Sequence, residues 1–148
     1  MYTVNMNRPN KKIHEACSSA IAVRDNKFVL LYDHRKKHYV TPQGHKRKKE
    51  TLSETALREV REETGFQNLS IIRKLGKYQY HFYQNKKTIY KIIHVYLVRV
   101  NNGKKLKNTQ NVNENFTTHL FSSKKTIEVV RWKQDKKFIS LAQKFLKI

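Results

Sequence analysis

Apolar positions fall in blocks whose periodicity changes along the chain. Residues 16–23 and 28–32 are two short apolar runs separated by Arg24-Asp25-Asn26-Lys27, which predicts a hairpin closed by a tight turn at the Asp-Asn pair. A basic loop, residues 34–38, leads to a short extended segment ending Tyr39-Val40-Thr41-Pro42-Gln43-Gly44. Residues 54–63 are good helix formers, with Thr51 or Ser53 to cap the start and Gly65 to stop the end. Leu52, Ala56 and Val60, spaced by four, give that helix a buried stripe.

Two strand-like stretches follow, residues 69–83 and 87–100, joined around Gln84-Asn85-Lys86. The second is apolar enough for a central strand. Tyr78, Tyr80 and Phe82 alternate onto one sheet face, His81 and Tyr83 onto the other. Residues 101–123 are polar and read as a surface loop, residues 127–132 as a final strand. Residues 135–145 read as an amphipathic helix with Phe138, Leu141, Ala142 and Phe145 facing the core. Helices on both sides of such strands predict an α/β class.

Composition narrows this further. A chain of 148 residues fits one domain, and Cys17, its single cysteine, excludes an internal disulfide and a thiolate metal cluster. Cys17 is expected to be a small buried residue. No run approaches the ~20 apolar residues of a membrane span, and the first residues lack a signal peptide's apolar stretch, so a cytoplasmic protein is expected. The formal charge is +21, from 32 Lys and Arg against 11 acids. Such a field attracts polyanions, whether a multiply charged substrate or RNA, and salt weakens it. Lysine is also the chain's common surface residue, and the charge reads equally as composition.

The chemistry is concentrated between Gly44 and Phe66, GHKRKKETLSETALREVREETGF. At about 100° per residue, Glu59, Glu62 and Glu63 lie within roughly 100° of arc on one helix side. Like charges that close need raised pKa values or a counter-cation, and all-oxygen ligands suit Mg²⁺ or Mn²⁺ better than zinc. A Glu-rich helix with basic neighbours is ordinarily a solvated face. A solvated face, however, does not require Gly44, Glu50, Arg58 and Gly65 at fixed offsets from those acids.

With Gly44, Glu50, Arg58-Glu59-Val60, Glu62-Glu63 and Gly65-Phe66 in this spacing, the stretch resembles a complete Nudix box. The resemblance implies a Nudix α/β/α sandwich with a mixed sheet over residues 1–148, and a metal-dependent hydrolase of nucleoside diphosphate-linked compounds. It implies metal ligation by Glu59 and Glu63, with Glu62 either a further ligand or the base that activates water. A backbone carbonyl near Gly44 often joins that shell, and residues at Glu50 and Arg58 are usually supports. Arg58 is also i,i+4 from Glu54 and Glu62 and can brace the helix. A further carboxylate near the last strand is expected from Glu128, with Glu114 as rival, or from neither.

Substrate choice is expected in four consecutive cations, Lys46, Arg47, Lys48 and Lys49, at the mouth of the acidic site. They read as a phosphate clamp or as a solvated turn. Tyr83 or a neighbouring tyrosine is a candidate base-stacking residue, though core packing is commoner for such rings. The run Pro42-Gln43-Gly44-His45 is similar to Nudix members acting on dinucleoside polyphosphates and 5′-triphosphorylated RNA. Dinucleoside polyphosphates lead the expectation, followed by 5′-phosphorylated RNA and diphosphoinositol polyphosphates. The rival class is a non-catalytic, basic RNA-binding module on the same scaffold.

Overall fold

The computed structural model describes residues 11–103 and 115–148. Its order is β1 (Lys11–Arg24), β2 (Lys27–Asp33), β3 (His38–Val40), β4 (Gln43–His45), α1 (Leu52–Thr64), β5 (Leu69–Gln84), β6 (Lys87–Val100), β7 (Phe116–Phe121), α2 (Ser123–Val129) and α3 (Lys133–Leu146). The seven strands form one sheet with the path β3-β2-β1-β6-β5, while β4 joins through β1 and β7 through β2. β1 and β6 run parallel and the other pairs antiparallel, so the sheet is mixed, as expected.

Strand alternation sorts the apolar residues into two layers. Cys17, Ile21 and Val23 of β1 join Ile93, Val95 and Leu97 of β6 under Phe138, Ile139 and Ala142 of α3. Ala20 and Ala22 join Val98 and Val100 under Ala56 and Val60 of α1. This is the expected α/β/α sandwich. Cys17 is buried, as its apolar context implied. Both hairpin turns were legible: Asp25 with Asn26, and Asn85 with Lys86, take positive φ at paired central positions.

Four assignments are corrected by the structure. β1 begins at Lys11 rather than residue 16, because the polar residues before Ala16 pair with β6 from Lys87 onward. Within the stretch read as loop, Phe116–Phe121 is a strand, held along β2 from Phe28↔Phe121 to Asp33↔Phe116. The strand expected at 127–132 is instead the end of α2, capped by the Ser122 hydroxyl, after which Val130 makes a single bridge to Tyr39. Thr126 is the buried position of α2, and the extended C-cap Val130 returns a buried side chain to the core four residues later. In α3 the inward stripe is Asp135, Phe138, Ile139 and Ala142, while Leu141 and Phe145 are 39% and 47% exposed. Phe145 lies under the Arg73 guanidinium, 4.8 Å away.

Gly76 sits at an irregularity in β5, where a Cβ would meet the Phe138 ring at 2.9 Å. The missing side chain lets α3 approach the sheet.

The corrected stripe is testable by urea unfolding. Ile139→Ala should cost about 2–5 kcal/mol, and Leu141→Ala less than about 1 kcal/mol. Equal losses would mean that α3 is rotated from the orientation described.

Candidate functional site

The acidic cluster is built by local capping and by one arginine. Thr51 is the N-cap of α1: its hydroxyl accepts from the Glu54 N–H, and the Glu54 carboxylate accepts from the Thr51 N–H. Gly65 ends the helix at φ 84°, in the left-handed region. Ala56 and Val60 are fully buried, which sets the helix rotation and puts Glu59, Glu62 and Glu63 at the edge of the packed face.

Arg58 holds the arrangement together. Its Nε and Nη2 donate to Glu50 at 2.9 and 2.7 Å, and Nη2 also donates to the His45 carbonyl at 2.8 Å. Its Nη1 donates to Glu59 at 2.7 Å and to Glu62 at 3.1 Å. All five guanidinium N–H groups are thereby used. The brace to Glu62 matches expectation, whereas Glu54, the other i,i+4 neighbour, is engaged by the cap instead. Glu50 also accepts from the Arg47 N–H and the Thr55 hydroxyl. The Arg58 guanidinium is the main reason its carboxyl is held down at about 2.

Gly44 faces Glu59 so closely that a Cβ would overlap the carboxylate, so this glycine admits the backbone of β4 to the acid cluster. Glu63 is buried, hydrogen-bonds Glu59 and accepts from the Gln43 N–H. Burial, then the Glu59 contact, pushes the Glu63 carboxyl well above the ordinary range. Among the described residues no three His, Cys, Asp or Glu side chains form a ready metal cage. The donor set instead suits an ion that takes few protein oxygens and completes its shell with water and phosphate.

Beside Glu63 opens a cavity of about 350 Å³, whose lining includes Gln43, Thr41, His38, Trp132 and Asp135. Asp135 is 5% exposed and accepts from the Thr41 hydroxyl at 3.3 Å, which lies 3.1 Å from the Ser19 hydroxyl. Burial raises the Asp135 carboxyl to about 6, against the lowering effect of Thr41. A larger depression of about 530 Å³ lies at the Asp25-Asn26 turn and the C-terminal Ile148, away from the acid cluster.

A family model described as NUDIX domain matches residues 14–139. The chain belongs to the Nudix family. A Mycobacterium tuberculosis protein described as the mutator protein MutT4 is 40% identical over 62 residues, covering 42% of this chain and 25% of that protein. The chain thus aligns with about a quarter of that relative's length. In fold, it is similar to a C. elegans Ap4A hydrolase binary complex, with TM-score 0.68 and 17% identity over 90% of this chain and 98% of the other. It is also similar to the dihydroneopterin triphosphate pyrophosphohydrolase of E. coli, with TM-score 0.65 and 10% identity over 87% and 96%. A mutator MutT protein from Bacillus halodurans has TM-score 0.63 and 20% identity over 85% and 80%.

The Nudix box residues named from sequence therefore meet: Gly44, Glu50, Arg58, Glu59, Glu62 and Glu63 are joined by the contacts above. Arg47 reaches Glu62 at 3.2 Å, so one of the four cations touches the acid edge. Lys46 donates to the Arg47 carbonyl at 3.2 Å, and Lys48 and Lys49 are exposed in the adjoining turn. Glu128 is exposed on α2 beside Lys125, at 3.9 Å, and does not line the cavity next to Glu63. Glu114 lies outside the described residues. Tyr83, 64% exposed, sits near the β5–β6 turn on the sheet face opposite Tyr78. The carboxylates that do share a cavity with Glu63 are Asp33, which accepts from the Arg35 and Lys36 N–H groups, and Asp135. In sequence Asp135 reads only as an acid suited to a helix's first turn.

Two pH-dependent outcomes follow. Removing the guanidinium with Arg58→Met strands partly buried carboxylates and should cost about 3–5 kcal/mol near neutrality. A carboxyl lowered from 4.5 to about 2 contributes stability above 4.5 that disappears as pH falls through 2. The gap between wild type and Arg58→Met in urea midpoint should therefore close from pH 5 to pH 2, and a constant gap would refute it. Asp135 has the opposite sign: its folded value is raised from 3.8 to about 6, so it costs stability as pH rises through that window. Asp135→Asn should gain on wild type by roughly 2 kcal/mol between pH 4 and pH 6.5, unless Asp135 ionises normally.

Proposed function

We propose that this Nudix protein hydrolyses a P–O–P linkage in nucleoside diphosphate-linked compounds, with dinucleoside polyphosphates as its main substrate class. The observation that carries the reading is the meeting of Glu50, Glu59 and Glu62 around one guanidinium, with Glu63 against Glu59, at a glycine where a Cβ would overlap the Glu59 carboxylate. Glu59 and Glu63, with the Gly44 carbonyl, would hold Mg²⁺ or Mn²⁺. When bound, the ion supplies charge neutralisation at the phosphates and acidifies a water molecule.

The chain's own residues account for the rest. Arg58 fixes Glu59 and Glu62 against their mutual repulsion and fixes the box loop through Glu50 and the His45 carbonyl. Glu62 is more exposed than Glu59 and is the group we assign to accept the proton of the attacking water. Arg47, on the same edge, would neutralise a distal phosphate with Lys46, Lys48 and Lys49.

The cavity beside Glu63 carries the exposed Trp132 ring, edge-on to His38 at 5.6 Å, which suits a nucleobase. Likeness in fold to an Ap4A hydrolase adds support for the dinucleoside class. The non-catalytic RNA-binding reading is disfavoured because every box carboxylate is retained and tied into the network.

The test is a panel of diadenosine polyphosphates, nucleoside triphosphates, diphosphoinositol polyphosphates and 5′-triphosphorylated RNA, with products separated by anion exchange. Diadenosine polyphosphates should turn over fastest, require Mg²⁺ or Mn²⁺, and lose about 10²–10⁴-fold in kcat with Glu62→Gln. Turnover that survives EDTA and Glu62→Gln would end the assignment of metal-dependent chemistry to this cluster, and no turnover of any panel member would end the hydrolytic assignment. Preference for another panel member would end the substrate assignment alone.

A further inference from the structure

The sheet extends past the body of the domain. Burial in β1 starts at Cys17 and in β6 at Ile93, yet both strands begin several residues earlier and stay paired. Residues 11–16, 77–84 and 87–92 thus form a three-stranded arm whose side chains are exposed or half-exposed.

Register arranges one face of this arm in rows. Cys17, Ile93 and Tyr78 make the last core row, followed outward by Glu15, Lys91 and Tyr80, then Ile13, Ile89 and Phe82, and finally Lys11, Lys87 and Gln84. Along β5 the Tyr78, Tyr80 and Phe82 rings stack in a ladder, with centroids 6.5 and 6.3 Å apart and planes inclined by 22° and 27°. Tyr80 is 41% exposed, and the Lys91 ammonium stands 5.6 Å from the Phe82 ring. The rung spacing is close to twice the ~3.4 Å rise of successive stacked nucleotides.

Charge on the arm is one-sided. On this face Lys11, Lys87 and Lys91 accompany one carboxylate, Glu15, which is already engaged by His45 at 2.8 Å and Lys91 at 3.9 Å, while Lys12 and Lys77 lie on the opposite face and Lys86 in the turn. Aromatic rungs flanked by an excess of cations are what unpaired bases on a phosphate chain require. A duplex hides its base faces from such rungs, and an acidic protein would have no use for their periodicity.

We propose that this face of the arm binds single-stranded nucleic acid, with bases on the Tyr80 and Phe82 rungs and phosphates along Lys91, Lys87 and Lys11. The ladder begins beside the box: the Tyr78 hydroxyl donates to Gln43 Oε1 at 3.5 Å, next to Gly44. The binding itself requires neither metal nor turnover and stands or falls apart from the hydrolytic reading.

The experiment is fluorescence anisotropy of the full chain with a labelled 5′-hydroxyl, unstructured RNA of about 12 nucleotides, in EDTA, over a series of salt concentrations. Tyr80→Ala with Phe82→Ala should weaken binding about 25-fold or more, since each stacked base contributes roughly 5- to 150-fold, and should leave the salt slope unchanged. Lys11→Gln with Lys87→Gln should lower the slope of log K against log salt by about 1.4, at roughly 0.7 per contact. Tyr80→Trp should keep affinity, which separates stacking from damage to the fold. Unchanged affinity in the ring variants, or an equal loss for the same sequence as a duplex, would overturn the proposal. So would ring-dependent dimerisation or ring-dependent capture by anionic vesicles while RNA affinity stays constant.

Discussion

A single guanidinium decides whether this acidic cluster can exist. Glu50, Glu59 and Glu62 are all less than a quarter exposed, and each would repel the others in the poorly solvated edge of α1. Arg58 places its donors on all three and on the His45 carbonyl. That last bond matters because His45 ends β4, so the arginine also fixes the strand that presents Gly44 to Glu59. Helix, loop and strand are positioned by one side chain, whose planar fork a lysine could not reproduce. Glu63 stands outside Arg58's reach. Its carboxyl instead accepts from the Gln43 N–H and hydrogen-bonds Glu59.

What the sequence made legible was local. Thr51, Glu54 and Gly65 specify the box helix with contacts a few residues apart, so its limits could be read without the rest of the protein. The Asp25-Asn26 turn is of the same kind. The misreadings concern segments whose conformation is set by distant partners. β7 is polar and forms because β2 offers it an edge, and the first residues of β1 form because β6 does. The Ile127-Glu128-Val129-Val130 stretch has the composition of a strand, but the Ser122 cap and the burial of Thr126 carry the helix through Val129, and Val130 is its extended C-cap.

The same division explains the site. Box residues lie on one helix and its preceding loop, where spacing is diagnostic. Asp135 reaches the Glu63 cavity only because α3 crosses back over β1 and places it against Thr41 and Ser19. Its neighbours in sequence, Gln134 and Lys136, carry no trace of that environment. Glu128 was the reasonable alternative by position along the chain, but it lies on the exposed side of α2, beside Lys125.

Five of the chain's 11 acids lie within the box, which leaves the remaining surface more basic than the net charge suggests. The two kinds of electrostatics respond differently to salt. Exposed lysines on the box loop and the arm act over distances comparable with the ~8 Å Debye length at physiological ionic strength, so their pull on a polyanion is readily screened. The Arg58 contacts, at 2.7 to 3.2 Å and largely out of water, are not. Rising ionic strength therefore strips away long-range attraction while leaving the acid cluster assembled. Recruitment of an anion and its chemical handling are physically separable in this protein because one is built from solvated charge and the other from partly buried charge.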